Sequence, residues 1–286
     1  MDGRITIESP TNPRVKRVVK LRKPRERRAA GVLIAEGRRE VERAFAAGLE
    51  PVELFATGAF DDEVGGLARA LKPSGAVPID LASVAWVGPA VLEKMAYHAK
   101  PEGVLAVFRE PRWTLDALPE KRDGFYLVAV GTEKPGNLGA MVRTAAVAGC
   151  DAVLAVGPAV DVFNPNTIRN STGAVFALPT VVVDAADTVI AWLRQRNVAI
   201  AAALADSGAD CFTLDWASPG AGLAVVVGPE HAGLDAGWRD AADVALTIPS
   251  AGSGEAGCVV DSLNASNAAA VLLFDAVRRR SVTARR

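Results

Sequence analysis

From residue 125 onward the chain alternates short apolar runs with Ala-rich, helix-favouring stretches, and this alternation restricts the fold more than any other feature. "FYLVAV" (Phe125–Val130), "DAVLAVG", "TVVVD", "VAIAAAL", "LAVVVGPE" and "DVALTIPS" read as strands. Residues 138–149, "AADTVIAWLRQR" and a long final "DSLNASNAAAVLLFDAVRRR" read as helices, the last with Ala and Leu on its inward face. Strands that are apolar throughout need cover on both faces, and strands separated by helices run parallel. The expectation is an α/β fold: a C-terminal, mostly parallel sheet with helices on both faces.

The front of the chain reads as a smaller α/β unit. Asn12 is placed to cap a helix that Pro13 opens, and Val15, Val18 and Val19 share one face of it. "GVLIAEGRREVERAFAAG" is a strand running into a helix that Gly48 stops, while "VELFAT" and "GVLAVFRE" are further strands and "DDEVGGLARAL" a helical piece. The Pro- and charge-rich "EPRWTLDALPEKRDG" marks the boundary. The expected division is therefore 1–108, a linker over 109–122, and 123–286.

A net charge of −1 hides a strong asymmetry. Residues 14–28, "RVKRVVKLRKPRERR", carry nine basic side chains against one acid, and residues 278–286 carry five arginines. Such segments point to a polyanionic partner, most often nucleic acid, or else to a solvated arm. The three cysteines form no Cys-x-x-Cys pair, which argues for a reducing compartment and against a zinc site or disulfide framework. With two histidines in the whole chain, no metal site is expected. No apolar run suggests a signal core or a membrane span, so a cytoplasmic location is expected.

"GSGEAG" (residues 252–257) matches a dinucleotide glycine pattern but fails on context. It stands away from the strand end, and the 29 residues after Gly257 leave no second strand to complete the binding unit. Three other stretches belong together: "PGNLGAMVRTAAVAGC", "VVVGPEHAGLD", and "IPS" followed by "SLNASNAAAVLLF". Each leaves the carboxyl end of a strand, where open α/β sheets bind ligands. Their side chains are donors and acceptors, with no obvious nucleophile or metal ligand. That set suits holding a preformed reactive cofactor beside a hydroxyl.

"NLGAMVRTA", "GPEHAGL" with "IPS", and "SLNASNAAAVLL" resemble the three signature motifs of the SpoU (TrmH) family of RNA ribose 2′-O-methyltransferases, within the SPOUT superfamily. "FNPNTIRNSTGAVFALP" resembles the segment between that family's first and second motifs, and the first 110 residues resemble the RNA-binding domain many members carry in front. One departure stands out: thirteen residues separate Ile248 from Ser262, with "AGSGEA" (251–256) reading as an insertion.

The resemblance implies S-adenosylmethionine as cofactor, held in a C-terminal trefoil knot. It implies main-chain contacts from Gly228, Ile248 and Leu263, with Pro249, Gly257 and Asn264 beside them. Asn137 and Glu230 would brace the loops, and Ser262 and Asn264 would line the methyl-donor side. Arg143 corresponds to the arginine at the reacting hydroxyl. A guanidinium is a poor base, so its expected role is to bind phosphate and stabilise the developing alkoxide. Each residue also has a plainer reading: Arg143 as half of a surface ion pair, Asn137 as part of a turn before the helix, Ser262 and Asn264 as helix caps, and His231 as an exposed turn residue. The RNA would be met by Arg14, Lys16, Arg17, Lys20, Arg22, Lys23, Arg38 and Arg169. A homodimer would form through the C-terminal domain, with Ala268, Leu272 and Leu273 of the final helix as its apolar face, a face that could equally be core. The nearest members in character are those that methylate 23S rRNA and confer resistance to ribosome-targeting antibiotics. The rival readings are a tRNA ribose methyltransferase and a non-catalytic protein that binds structured RNA.

Overall fold

The structure is a computed structural model that describes residues 5–63, 84–157, 161–205, 207–250 and 262–281. Its chain divides into two compact units, one formed by Met1–Arg112 with Phe163–Ala177 and the other by Trp113–Val162 with Leu178–Arg286. The sequence reading had kept 123–286 unbroken. The segment 163–177 instead packs with the first unit, where Arg43 donates to the Thr172 hydroxyl at 2.6 Å.

In the first unit, helix α1 (Pro13–Lys20) begins as its sequence dictates: the Asn12 side chain accepts from the Arg14 N–H, and Pro13 occupies the first turn. Helix α2 (Pro24–Ala30) follows, then strand β2 (Val32–Glu36), helix α3 (Arg38–Ala46) and strand β3 (Pro51–Ala56). Helix α4 (Gly58–Glu63) covers the start of the expected helical piece, the rest of which lies outside the described residues. Helix α5 (Pro89–Met95) and strand β5 (Val104–Arg109) complete the main elements. Two three-residue strands, β1 (Ile5–Ile7) and β4 (Ala85–Val87), extend the sheet to the order β1-β4-β3-β5-β2. Val15, Val18 and Leu21 sit in one core with Phe55, Leu92, Met95 and Val107. The basic stretch is thus two packed helices and not a solvated arm.

The second unit is built on seven strands, β6 (Phe125–Val130), β7 (Ala152–Val156), β8 (Thr180–Val183), β9 (Val198–Ala203), β10 (Ala209–Asp210), β11 (Gly222–Val227) and β12 (Val244–Thr247). Their order is β10-β12-β9-β11-β6-β7-β8, and every described pairing is parallel. Strand β11 enters late, between β9 and β6.

Alternate residues face opposite ways. Val128, Leu154, Val156 and Ile200 pack with Val189, Trp192 and Leu193 of helix α8 (Ala186–Gln195) and with Trp238 of helix α9 (Ala236–Asp240). The other face is covered by helix α6 (Pro135–Ala148) and helix α10 (Ala265–Ser281), which also touch each other. A short helix α7 (Pro165–Asn170) belongs to the segment that packs with the first unit. Among the described residues no helix is long and apolar enough to cross a membrane.

Candidate active site

Three segments converge at the carboxyl ends of β6 and β11 and at the start of α10. Helix α6 begins at Pro135, three residues earlier than the sequence suggested, because proline pre-sets the first helical φ. Asn137 therefore lies inside the first turn and not on a turn ahead of it. Its amide donates to a Glu230 carboxylate oxygen at 2.9 Å. Asn264 also donates to that oxygen, and lies 3.3 Å from the Asn137 side-chain oxygen. The Asn264 oxygen in turn accepts from the Ser266 N–H at 2.9 Å, capping α10. The capping and site readings of Asn264 are one arrangement: its oxygen serves the helix and its nitrogen serves the site.

Lys134, which sequence reasoning passed over, binds the second Glu230 oxygen at 3.1 Å. That hydrogen bond, helped by those from Asn137 and the Ala265 N–H, holds the Glu230 carboxyl below the usual carboxylate range. Glu230 is consequently a fixed anion at neutral pH, with three side-chain donors on it. The signal for Lys134 was available, since it stands directly before the Pro-Gly-Asn turn.

Beside this network lies a cavity of about 540 Å³, a size ordinary for a cofactor site. Gly228, Glu230, Ile248, Pro249, Ser262 and Leu263 line it, so the structure brings these expected residues together. Its floor is Ala203–Ala205 and Leu246–Thr247, which the motifs did not mark. Small residues at the end of an otherwise apolar strand leave that space. Gly228 has a structural requirement of its own: a Cβ there would lie 2.9 Å from the backbone of Gly233 and Leu234. The loop itself needs the glycine to close. Ser262 is exposed and caps nothing; among the described residues its hydroxyl has no partner. Leu263 is 48% exposed. Gly257 and the 251–256 insertion lie outside the described residues.

Arg143 stands apart from this cluster. It does not line the cavity, it is exposed, and it makes no ion pair or hydrogen bond among the described residues. The plainer alternative, a surface ion pair, is not what the described residues form. Six residues on from Asn137, a helix has turned about 240° and risen about 9 Å, so the two side chains leave different faces. His231 is exposed on its turn, as anticipated.

The expected RNA contacts separate into two classes. Arg14 and Arg17 both bind Glu53, at 2.8 and 2.5 Å, and Arg38 binds Glu42 at 2.7 Å. Arg22 donates to the carbonyls of Lys94, Met95 and Ala96 at the end of α5. Each of these four thus already has a partner within the unit, Arg38 within its own helix. Lys16, Lys20, Lys23 and Arg169 are exposed. So are Arg25 and Arg28, while the buried Arg27 donates to the carbonyls of Leu21 and Arg22.

The profile of the SpoU rRNA Methylase family matches residues 124–274, and that of the MRM3-like substrate binding domain matches residues 12–106. The chain belongs to the SpoU rRNA methylase family. Among curated relatives, a 23S rRNA (uridine(2479)-2′-O)-methyltransferase of Streptomyces viridochromogenes is 36% identical over 188 residues, which span 64% of this chain and 62% of that protein. A crystal structure described as an RNA 2′-O ribose methyltransferase is 36% identical, with a TM-score of 0.78 over 97% of this chain and 100% of the other. The SpoU methyltransferase AviRb from Streptomyces viridochromogenes, solved with the cofactor AdoMet, is 27% identical, with a TM-score of 0.79 over 95% of this chain and 99% of its own.

Proposed function

We propose that this chain methylates the 2′-hydroxyl of a ribose in 23S ribosomal RNA, using S-adenosylmethionine. The observation that carries the reading is the carboxylate–amide network of Asn137, Glu230 and Asn264, which ties all three SpoU motifs together at the rim of a cofactor-sized cavity. The residues present fit that cofactor. Apolar walls from Leu204, Leu246 and Ile248 suit an adenine ring, and the Ser262 hydroxyl offers a polar group on the same lining. When bound there, S-adenosylmethionine supplies a methyl group already activated by its sulfonium charge.

The protein then has two tasks, alignment and proton management. Holding the hydroxyl in line is worth several kcal/mol of barrier. Glu230 is not the base, because its oxygens are occupied and its carboxyl is held ionised. It is the tether that keeps the three motif loops in register. Arg143, a guanidinium with no partner of its own, takes the RNA phosphate and stabilises the oxygen as it sheds its proton to solvent.

The reading includes a trefoil knot in the C-terminal unit and a homodimer through that unit. It also assigns the consequence for the cell, protection of the ribosome from a ribosome-targeting antibiotic. The late insertion of β11 between β9 and β6 supports the first.

Incubating the protein with radiolabelled S-adenosylmethionine and unmodified 23S rRNA, then mapping the product by mass spectrometry, tests the reaction. Label on a single ribose is expected; label on a base, or none, overturns it. Comparing drug sensitivity of cells expressing wild-type or Arg143→Ala protein tests the resistance.

A further inference from the structure

We propose that Tyr97 is a stacking platform for an unpaired base of the RNA substrate, set beside the phosphate-binding lysines of the first unit. The proposal rests on the methyltransferase reading and deepens it by naming the kind of RNA element the front unit grips.

Tyr97 is the one exposed aromatic side chain among the described residues of that unit, at 42%. Phe45, Phe55, Phe60, Phe108, Phe163 and Phe176 are all buried. Nor is Tyr97 on a loose loop. The Glu36 carboxylate accepts from the backbone N–H of Tyr97 at 2.8 Å and of His98 at 3.2 Å. The His98 ring meets the tyrosine ring edge to face, with centroids 5.4 Å apart and planes at 83°. The Asn166 side-chain nitrogen lies 3.5 Å from the phenol oxygen. Backbone, ring and hydroxyl are each engaged, and the ring still meets solvent. A rigid surface ring loses little conformational entropy when something stacks on it.

The Glu36 carboxylate is spent on the Tyr97 backbone, and the neighbouring chain carries cations. Arg22 clasps the carbonyls of Lys94, Met95 and Ala96, the residues immediately before Tyr97. That clasp holds the end of the basic stretch at the foot of the tyrosine loop. Lys20 and Lys23, on either side of Arg22, are exposed, as is Lys100 just beyond His98. A ring flanked by cations is how proteins hold single-stranded nucleic acid: the base stacks and the neighbouring phosphates are neutralised. Sequence-specific RNA recognition likewise favours unpaired bases splayed onto aromatic side chains. A duplex offers its bases only edge-on and would leave Tyr97 without a partner.

The test uses the full-length protein and short single-stranded RNAs each carrying one 2-aminopurine, whose fluorescence falls when it stacks. Wild-type protein should quench the probe. Tyr97→Ala should abolish the quench and weaken binding about 5- to 100-fold, while Tyr97→Phe keeps both. Lys20→Glu with Lys23→Glu should weaken binding but preserve the quench at saturation. Thermal melts like wild type in every form establish that the first unit is folded, and unchanged calorimetric affinity for S-adenosylmethionine establishes the same for the second. Wild-type quench and affinity in Tyr97→Ala overturn the proposal, as does equal loss in Tyr97→Phe, which would assign the effect to the hydroxyl. If Tyr97→Ala is normal while wild type methylates 23S rRNA, stacking alone falls. If wild type neither binds RNA nor methylates it, both readings fall.

Discussion

Asn137 and Glu230 stand 93 residues apart in the chain and are joined by a 2.9 Å hydrogen bond from amide to carboxylate. That bond links the first turn of α6 to the loop after β11, and Asn264 extends it to the start of α10. One carboxylate thus fixes three loops that no single element could hold, since each leaves a different strand or helix.

Replacing that carboxylate tests the tether. Glu230→Gln keeps the shape but loses the charge that Lys134 and two amides share. We expect weaker S-adenosylmethionine binding and slower turnover together, with a milder version of the same pair of effects in Lys134→Ala. The Glu230 carboxyl is held below its ordinary value, so it is ionised throughout the neutral range. The rate between about pH 6 and 9 should show no ionisation lost in Glu230→Gln. A pH step present in wild type and absent in the variant would make Glu230 a proton carrier after all.

Arg143→Ala should behave in the opposite way. The side chain does not line the cavity and has no partner among the described residues, so cofactor affinity and folding should not change. Turnover should fall about 100- to 1,000-fold, the usual cost of removing one donor to a developing oxyanion. Near-normal turnover would remove Arg143 from the reaction.

Much of this was legible in the sequence. The strands of the second unit are marked by their own apolar runs, and the three motifs lie where strands end. Short strands such as β1, β4 and β10 were not legible, because two or three residues carry no periodicity and owe their pairing to neighbours. The basic stretch misled in another way. Charge alone does not tell a phosphate ligand from an arginine that satisfies carbonyls, and Arg22 and Arg27 are of the second kind. The division of Phe163–Ala177 from the rest of its sequence neighbourhood depends on packing distant in sequence, which no local pattern encodes.

A dimer through α10 would need a face other than Ala268, Leu272 and Leu273, which belong to the protomer's own interior. Leu272 and Leu273 are fully buried within the protomer and Ala268 lines the cavity, so none of them is free to meet a partner. The remaining stripe of α10 is Ala270, Val271, Phe274 and Val277, at helical spacing, with Phe274 46% exposed. On α6, Val147 is 71% exposed. Sedimentation at micromolar concentration should give a dimer mass for wild type and a monomer mass for Phe274→Glu. A wild-type monomer would end the idea.

Asp275 should govern acid stability. Burial pushes its pKa up, but hydrogen bonds from Arg279, Arg278 and Trp216 outweigh burial and leave it below the usual value. A depressed folded pKa stabilises the fold above the unfolded value near ~3.9 and stops doing so as pH falls through the folded one. Asp275→Ala takes the carboxylate from Arg279, whose side chain is only 10% exposed and keeps the carbonyls of Cys211 and Phe212, and should cost about 2 kcal/mol at pH near ~7. Urea melts of both proteins should show that gap shrinking below about pH 4. A gap that does not change with pH would make packing, not charge, the cause.

The packed basic helices also decide how their role in RNA binding can be tested. Deleting residues 1–28 would remove Val15, Val18 and Leu21 from the core, so the deletion would unfold the unit and report nothing about phosphates. Charge reversal at the exposed positions avoids this. Each phosphate contact releases counterions worth roughly 0.7 to 0.9 in the slope of log affinity against log salt. Reversing Lys16, Lys20 and Lys23 together should flatten that slope by roughly 2 to 3 and raise the KM for RNA, with thermal stability unchanged. Arg14→Ala should do the reverse. It leaves Glu53 with one partner fewer and lowers the melting temperature, while the salt slope stays as in wild type. If the triple reversal keeps the wild-type slope, the RNA lies on another face of the unit. If Arg14→Ala flattens the slope as much as the lysines do, the ion pair with Glu53 opens when RNA binds, and Arg14 returns to the contact set.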